Sequence, residues 1–298
     1  MLEPKEYGPI GVVGIGNMGL PMSDHLVRAG FEVVGTARTQ KSRDALAQVG
    51  GKPVVGADQV AKECRVIFLA LPSIPAFHDV CDSILEVCRP GDIIVETSTF
   101  PIKDKELEEK RFAERGAVIL DCPLSGTGEQ AKHKDVVVLG SGDQAAFEKV
   151  VPVFQAFTKS QHYLGEFGNG MKMKFVANQM VAIHNVSAAE AVLFGTKMGM
   201  DPDVVIKVIS EGAGGCRMLE VRGPVMAKRS WTTPQITHKV FHKDIVMIQE
   251  ALDDVGCPSP LFCATRSIYN AAIAGGHGEH DTSSVYAVLE NMMLPSKE

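Results

Sequence analysis

No run of apolar residues in this 298-residue chain approaches the roughly 20 needed to cross a bilayer as a helix. There is no basic excess either. Thirty lysines and arginines against 36 acidic residues leave a formal charge of -6, which excludes an electrostatic footprint for nucleic acid or an anionic membrane. The start, Met1-Leu2-Glu3-Pro4-Lys5-Glu6, lacks a basic stretch followed by an apolar one, so no secretory signal is expected. Cys64, Cys81, Cys88, Cys122, Cys216, Cys257 and Cys263 form an odd set without a CxxC. That speaks against a disulfide frame or a zinc site and for reduced thiols in the cytoplasm. His238 and His242 stand four apart, with His277 and His280 further on, but no HExxH or thiolate pair accompanies them, so no metal is expected.

What is present is the composition of a globular chain, 45% hydrophobic and 22% charged, long enough for two domains with cores of their own. The first half alternates short apolar runs with helical patterns. Strands are predicted at Ile10 to Val13, Glu32 to Thr36, Arg65 to Leu71, Asp92 to Thr97, Ala117 to Asp121 and Val136 to Gly140. Arg65 to Leu71 is apolar almost throughout, as a strand covered on both faces should be. Helices are predicted from the turn after Val13 through His25, from Ile102 to Arg115 and from Asp143 to Phe157. Strands alternating with helices imply an α/β fold with a parallel, doubly wound sheet. After Gly165 the character changes. One helical pattern runs from Gly170 to Met198, Asp201 caps a further helix with Pro202 at its first position, and no convincing strand follows. The division expected is 1–166 for the α/β domain and 167–298 for an all-helical one, with Gly275-Gly276-His277-Gly278 as a loop.

Gly14-Ile15-Gly16-Asn17-Met18-Gly19 matches GxGxxG directly after a strand and at the opening of a helix, the context that makes the pattern a dinucleotide-binding Rossmann turn. Gly14 permits the tight turn, Gly16 lets the backbone approach the pyrophosphate at the positive helix end, and Gly19 lets helix and strand pack closely. An NAD site would carry Asp or Glu at the end of the second strand to hold the free 2′-hydroxyl. The residues there are Thr36-Ala37-Arg38-Thr39-Gln40-Lys41, with Arg43 beyond. A guanidinium at Arg38 can grip a 2′-phosphate through paired hydrogen bonds, so NADP is the expected cofactor, with NAD as the alternative.

Four separated motifs resemble the β-hydroxyacid dehydrogenase family, which includes 3-hydroxyisobutyrate dehydrogenases and tartronate semialdehyde reductases. They are the glycine turn continuing to Pro21-Met22; Asp121-Cys122-Pro123-Leu124-Ser125-Gly126-Thr127, similar to the family's substrate-binding loop; Gly168-Asn169-Gly170 with Lys174 and Asn178, similar to its catalytic segment; and Lys243-Asp244, similar to a motif near the cofactor. Leu71-Pro72 and Ser98-Thr99 follow strands where family members pass the two riboses. The resemblance implies hydride transfer between NAD(P) and a small hydroxy acid or its semialdehyde or keto form. It implies Lys174 as catalytic acid and base, with Ser125, Gly126, Thr127 and Asn178 on the substrate. It implies Gly14, Ile15, Gly16, Asn17, Met18, Arg38, Thr39, Leu71, Pro72, Thr99 and Lys243 on the cofactor, and a homodimer or homotetramer formed through the helical domain. Thr127 stands where the family usually has a glycine, which narrows the pocket and adds a hydroxyl.

The residue pattern is compatible with this chemistry, although a lone lysine on such a helix, like its neighbour Lys172, reads as solvated until the four motifs are weighed. Lys174 and Asn178 are four apart on one helical pattern and project from the same face. A lysine that gives a proton in one direction and takes it in the other works best when desolvation and a nearby positive ring bring its pKa toward the working pH. Imine reduction on a related fold and a non-catalytic NADPH-binding module are the competing readings. Arg217 and Arg222 read as surface residues, Trp231 as packing at a domain edge, Cys122 as a small packed residue, and Met171, Met173 and Met180 as core.

Overall fold

A computed structural model of the chain describes residues 4–293. It divides into two compact units, Met1–Lys174 and Phe175–Glu298.

The first unit is built on a six-stranded parallel sheet. Its strands are β1 (Ile10–Val13), β2 (Val33–Thr36), β3 (Lys52–Pro53), β4 (Val66–Leu69), β5 (Ile93–Glu96) and β6 (Val118–Asp121), in spatial order β3-β2-β1-β4-β5-β6. Between them run α1 (Gly19–Arg28), α2 (Gln40–Gln48), α3 (Ala57–Glu63), α4 (Ile74–Leu85) and α5 (Ile102–Glu114). Apart from the short, exposed β3, the strands are largely apolar on both faces, and both faces are covered. Val12, Phe68, Val95 and Leu120 join one core with Phe147 and Phe154. Val13, Ile67, Ile94 and Ile119 join the other with Phe77 and Phe112. Alternate side chains of one strand thus enter opposite cores, and a Phe68→Ala change would remove packing worth roughly 3–5 kcal/mol.

The strand predicted at Val136 to Gly140 does not extend that sheet. As β8 (Val137–Gly140) it lies in a separate three-stranded sheet, antiparallel to β7 (Leu124–Ser125) and parallel to β9 (Ser160–Tyr163). The helices α6 (Gly128–Lys132) and α7 (Gln144–Phe157) connect these strands. Two-residue strands such as β3 and β7 are too short to show a period, which is why the sequence did not reveal them.

The long helix α8 (Asn169–Lys197) contains the division between the units. The second unit adds α9 (Pro202–Glu211), α10 (Arg217–Ala227), α11 (His238–Asp254), α12 (Pro260–Ala272) and α13 (Val285–Asn291). Asp201 caps α9 through Asp203 N–H and Val204 N–H, with Pro202 at its first position. The core gathers Ala182, Ala189, Phe241, Phe262, Tyr269 and Val285. Trp231 is buried beside Tyr286 and His277.

Three expectations need correction here. Arg222 is not a surface residue but is buried against Asp281. Met173 and Met180 are 42% and 47% exposed, and only Met171 is packed away. At 100° per residue Met171 and Met173 cannot share a helix face. The glycine-rich stretch after α12 is a π-helical turn, Ile273–His277, in which Gly276 has φ +87°.

Candidate active site

The glycine turn sits at the end of β1, next to the point where the sheet order reverses between β1 and β4, the position at which such sheets bind ligands. Gly14 has φ +101°, and a Cβ there would lie 2.2 Å from the carbonyl oxygen of Ala70. A Cβ on Gly19 would lie 2.0 Å from the Gly14 carbonyl oxygen. The fold itself requires those two glycines. Gly16 is different: no atom lies within 4 Å of its would-be Cβ, so the space beside its backbone is open. Helix α1 starts without a side-chain cap and without an acidic residue in its first turn. Leu20 and Met22 N–H are taken by the Gly16 and Met18 carbonyls, so an anion would meet the positive helix end at the turn before it. Ile15 is buried beneath the turn, while Asn17 is exposed and Met18 half-buried. These residues fit the pyrophosphate of a dinucleotide.

After β2, Thr39 caps α2, its hydroxyl accepting from Ser42 N–H at 3.2 Å. Arg43 is tied into the same loop, donating to the carbonyl of Ala37 at 2.5 Å and to Gln40 Oε1 at 2.9 Å. Arg38 and Lys41 are exposed. Beyond β4 and β5, Leu71 N–H donates to Ser98 Oγ at 2.9 Å and Thr97 Oγ1 donates to the Leu69 carbonyl at 2.6 Å, stitching the two strand ends together. Leu71 and Thr99 are half-buried there and Pro72 is exposed.

Lys174 is 7% exposed, and its Nζ donates to the Leu124 carbonyl at 2.8 Å. The residue next to Leu124 is Ser125, half-buried at the end of β7, followed by the exposed Gly126. Thr127 closes the loop as N-cap of α6 in a reciprocal box: its hydroxyl accepts from Gln130 N–H at 3.3 Å, and its own N–H donates to Gln130 Oε1 at 3.0 Å. The Thr127 amide is thus committed to the protein, leaving Ser125 and Gly126 as the open part of the loop. Cys122 is fully buried, and burial pushes its thiol well up from the ordinary range.

In the second unit Asn178 Nδ2 donates to Asp244 Oδ2 at 2.9 Å, both side chains being buried. A carboxylate only accepts, so the amide must present its nitrogen to Asp244, which fixes the amide's orientation. Lys243, the neighbour of Asp244 on α11, is exposed.

Sequence reasoning missed Asp244 as a partner of Asn178. It also missed a fully buried cluster of Glu96, Lys105 and Asp121. A carboxylate ending the apolar run Ile93-Ile94-Val95-Glu96 was the available signal. Another was the placement of Lys105 on the buried face of α5 with Phe112.

A doubly wound parallel sheet with a glycine turn at its switch point defines a dinucleotide-binding half, here followed by a helical half. Residues 9–165 match the family described as the NAD binding domain of 6-phosphogluconate dehydrogenase, and residues 168–289 match the NAD-binding family of NADP-dependent 3-hydroxyisobutyrate dehydrogenase. The chain is 31% identical over 285 residues to glyoxylate/succinic semialdehyde reductase 2 of Arabidopsis thaliana, covering 94% of this chain and 79% of that protein. It is 31% identical over 291 residues to 2-hydroxy-3-oxopropionate reductase of Escherichia coli, covering 95% and 97%. The solved structure of Mycobacterium tuberculosis 3-hydroxyisobutyrate dehydrogenase with L-serine matches at TM-score 0.84 and 25% identity, over 95% of this chain and 99% of that one. The chain belongs to the β-hydroxyacid dehydrogenase family of NAD(P)-dependent dehydrogenases and reductases.

Proposed function

We propose that the protein interconverts a small hydroxy acid and its semialdehyde or keto form, with Lys174 as proton donor and acceptor and NADP as the preferred cofactor. The observation that carries this reading is the buried Lys174 amine, held 2.8 Å from the Leu124 carbonyl beside Ser125. A nicotinamide dinucleotide on the glycine turn would supply or accept the hydride. In reduction the Lys174 ammonium gives its proton to the carbonyl oxygen; in oxidation the neutral amine takes the hydroxyl proton. Ser125 and Gly126 hold the substrate carboxylate. Asn178, its amide nitrogen on Asp244, keeps its oxygen as an acceptor for a substrate hydroxyl. Arg38 and Thr39 meet the 2′-phosphate end, Leu71 and Pro72 pass the adenosine ribose, Thr99 lies beside the nicotinamide ribose, and Lys243 contacts the cofactor. The names of the relatives point to substrates of this size: glyoxylate, succinic semialdehyde and 2-hydroxy-3-oxopropionate are all short carboxylates.

In this reading 1–166 bind cofactor and 167–298 serve substrate binding and assembly in a cytoplasmic homodimer or homotetramer. Val176, Met180 and Phe194 are 56%, 47% and 68% exposed on α8, apolar surface that assembly would cover, and sedimentation would give the number of subunits. Among the described residues, no helix is long and apolar enough to cross a membrane.

The test is a panel of glyoxylate, succinic semialdehyde, hydroxyisobutyrate, glycerate, threonate, serine and hydroxybutyrate with both dinucleotides. Lys174→Ala should keep the fold and dinucleotide binding while losing about 10²- to 10⁴-fold in kcat on the best of these. Near wild-type turnover would end the proposal. Arg38→Ala should lower kcat/KM with NADPH by about 10- to 100-fold and spare NADH. A wild-type preference for NADH that survives the substitution removes the cofactor assignment.

A further inference from the structure

Glu96, Lys105 and Asp121 have no exposed surface, yet they meet in one cluster. Lys105 Nζ lies 2.5 Å from Glu96 Oε2, 2.7 Å from Asp121 Oδ1 and 2.8 Å from the Ser98 carbonyl. Burial by itself would strip the proton from Lys105, but Asp121 and Glu96 outweigh it and hold the ammonium. Burial pushes Glu96 up in spite of Lys105, and of the two carboxyl groups Asp121 does more to hold the proton on Lys105.

The second oxygen of Asp121 faces the start of α8. Oδ2 accepts Met171 N–H at 2.8 Å and lies 3.2 Å from Ser141 Oγ, which itself accepts Gly170 N–H at 2.9 Å. A helix is normally capped by the side chain just before it. Gly168 precedes α8 and has no side chain, so the cap comes from the end of β6, 50 residues earlier. Gly170 permits the approach, because a Cβ there would lie 2.6 Å from the Asp121 carbonyl oxygen and 2.9 Å from its Oδ2. Burying ionisable groups against one another is a poor route to stability, since desolvation offsets most of their attraction. What the cluster provides is position.

We propose that Asp121 is a positioning residue for Lys174. The segment 121–124 grips α8 at two points: Asp121 holds the first turn, and the Leu124 carbonyl holds the amine one turn further on. With both in place the amine has a fixed station beside Ser125. Lys105, 2.7 Å from the other oxygen, holds the Asp121 carboxyl aimed at the helix, and Ser141 carries the neighbouring N–H. The proposal rests on Lys174 being the proton-transfer group.

A double-mutant cycle on the full chain tests it, with Asp121→Asn and Ser141→Ala each made in the wild-type and Lys174→Ala backgrounds and assayed on the best acid of the panel. Asp121→Asn should lower kcat by about 10- to 100-fold, the scale set by misplacing a catalytic group by an ångström, with the dissociation constant for the dinucleotide unchanged. Ser141→Ala should lower kcat by about twofold to tenfold. Neither should lower the residual rate of Lys174→Ala further, because residues that act as a unit are not additive. Hydrogen exchange should accelerate in the first turn of α8 and not in the parallel sheet. Equal fold-losses in both backgrounds, or an unchanged kcat in a folded Asp121→Asn protein, overturn the proposal. If Asp121→Asn does not fold, the Ser141→Ala cycle decides by the same criteria. Full turnover by Lys174→Ala alone is a separate result, which removes the lysine reading and this proposal with it.

Discussion

Each unit buries an ion cluster, and the two clusters are wired differently. In the helical unit Arg222 Nη1 lies 2.7 and 2.6 Å from the two oxygens of Asp281, whose carboxylate also accepts from Gln235 N–H and Ser283 N–H. Burial works to raise the Asp281 pKa, but Arg222 and these donors prevail and hold the carboxyl below its usual range. The partners named there all belong to the helical unit: Thr237 and Asp281 form a bridge between two loops, and Asp281 N–H donates to the Trp231 carbonyl. In the α/β unit the corresponding carboxylate gives one oxygen to Lys105 and the other to the helix that bears Lys174. A closed cluster is expected to act on stability, an open one on the geometry of what it holds.

The largest effect separating them is the loss of Arg222. Arg222→Met leaves Asp281 buried without its counter-charge and should destabilise the helical unit by about 3–5 kcal/mol. That lowers its melting temperature by more than roughly 10 °C. The single tryptophan, Trp231, lies in this unit, so its fluorescence follows the helical unit specifically. Below the transition, kcat should stay at the wild-type value. Adding Asp281→Asn should recover only part of the loss, because Gln235 and Ser283 N–H groups then face a weaker acceptor. A fall in kcat without a fall in melting temperature would erase the distinction between the clusters.

Next comes His238, buried in the same unit with Nε2 2.9 Å from Ser284 Oγ. Burial first, then His277, depress its pKa to about 4, with His280 and Arg222 acting in the same direction and Asp281 opposing. A base whose pKa is lowered on folding binds protons better when unfolded. The helical unit should therefore lose stability as pH falls below about 6.5, reaching a loss of about 3 kcal/mol near pH 4. Trp231-detected melts of wild type and His238→Gln across pH 4–7 measure it. An identical acid response in both proteins would show that His238 is not the group responsible.

The same contrast explains what could be read before the structure. The parallel sheet was legible because each strand is a continuous apolar run between turn signals, and the glycine turn because its spacing has a mechanical cause. The roles of Lys174 and Asn178 remain a proposal, but the two residues were singled out by helical spacing and family resemblance. Residues that act through another residue were not. Lys105 belongs to Ile102-Lys103-Asp104-Lys105-Glu106, a stretch that reads as a solvated helix face, and only the third dimension turns that lysine inward. Arg222 is hidden for the same reason, since its partner is 59 residues away. Thr127 was noticed as a departure, but its commitment to Gln130 depends on where α6 begins, and element boundaries are weakly encoded.

The smallest predicted effect reverses the pH sign and so sharpens the contrast between the units. His78 on α4 lies 2.5 Å from Glu108 Oε1 and 3.3 Å from Asp104 Oδ1, both on α5. The bond to Glu108, above all, raises its pKa, against the effect of burial and with help from Asp104. Arg111 also pairs with Glu108, at 2.9 Å, and with Asp82. A base whose pKa is raised on folding stabilises the fold fully below its unfolded value, and that contribution fades as pH rises through the folded one. His78→Gln should therefore destabilise the α/β unit most near pH 5.5 and progressively less toward pH 8. The difference should be at most about 1 kcal/mol, because the bridge is partly solvated and Arg111 remains on Glu108. Far-UV dichroism melts with Trp231 fluorescence as the internal control would read it. A deficit that grew with pH, or that appeared in the tryptophan signal, would place the brace elsewhere.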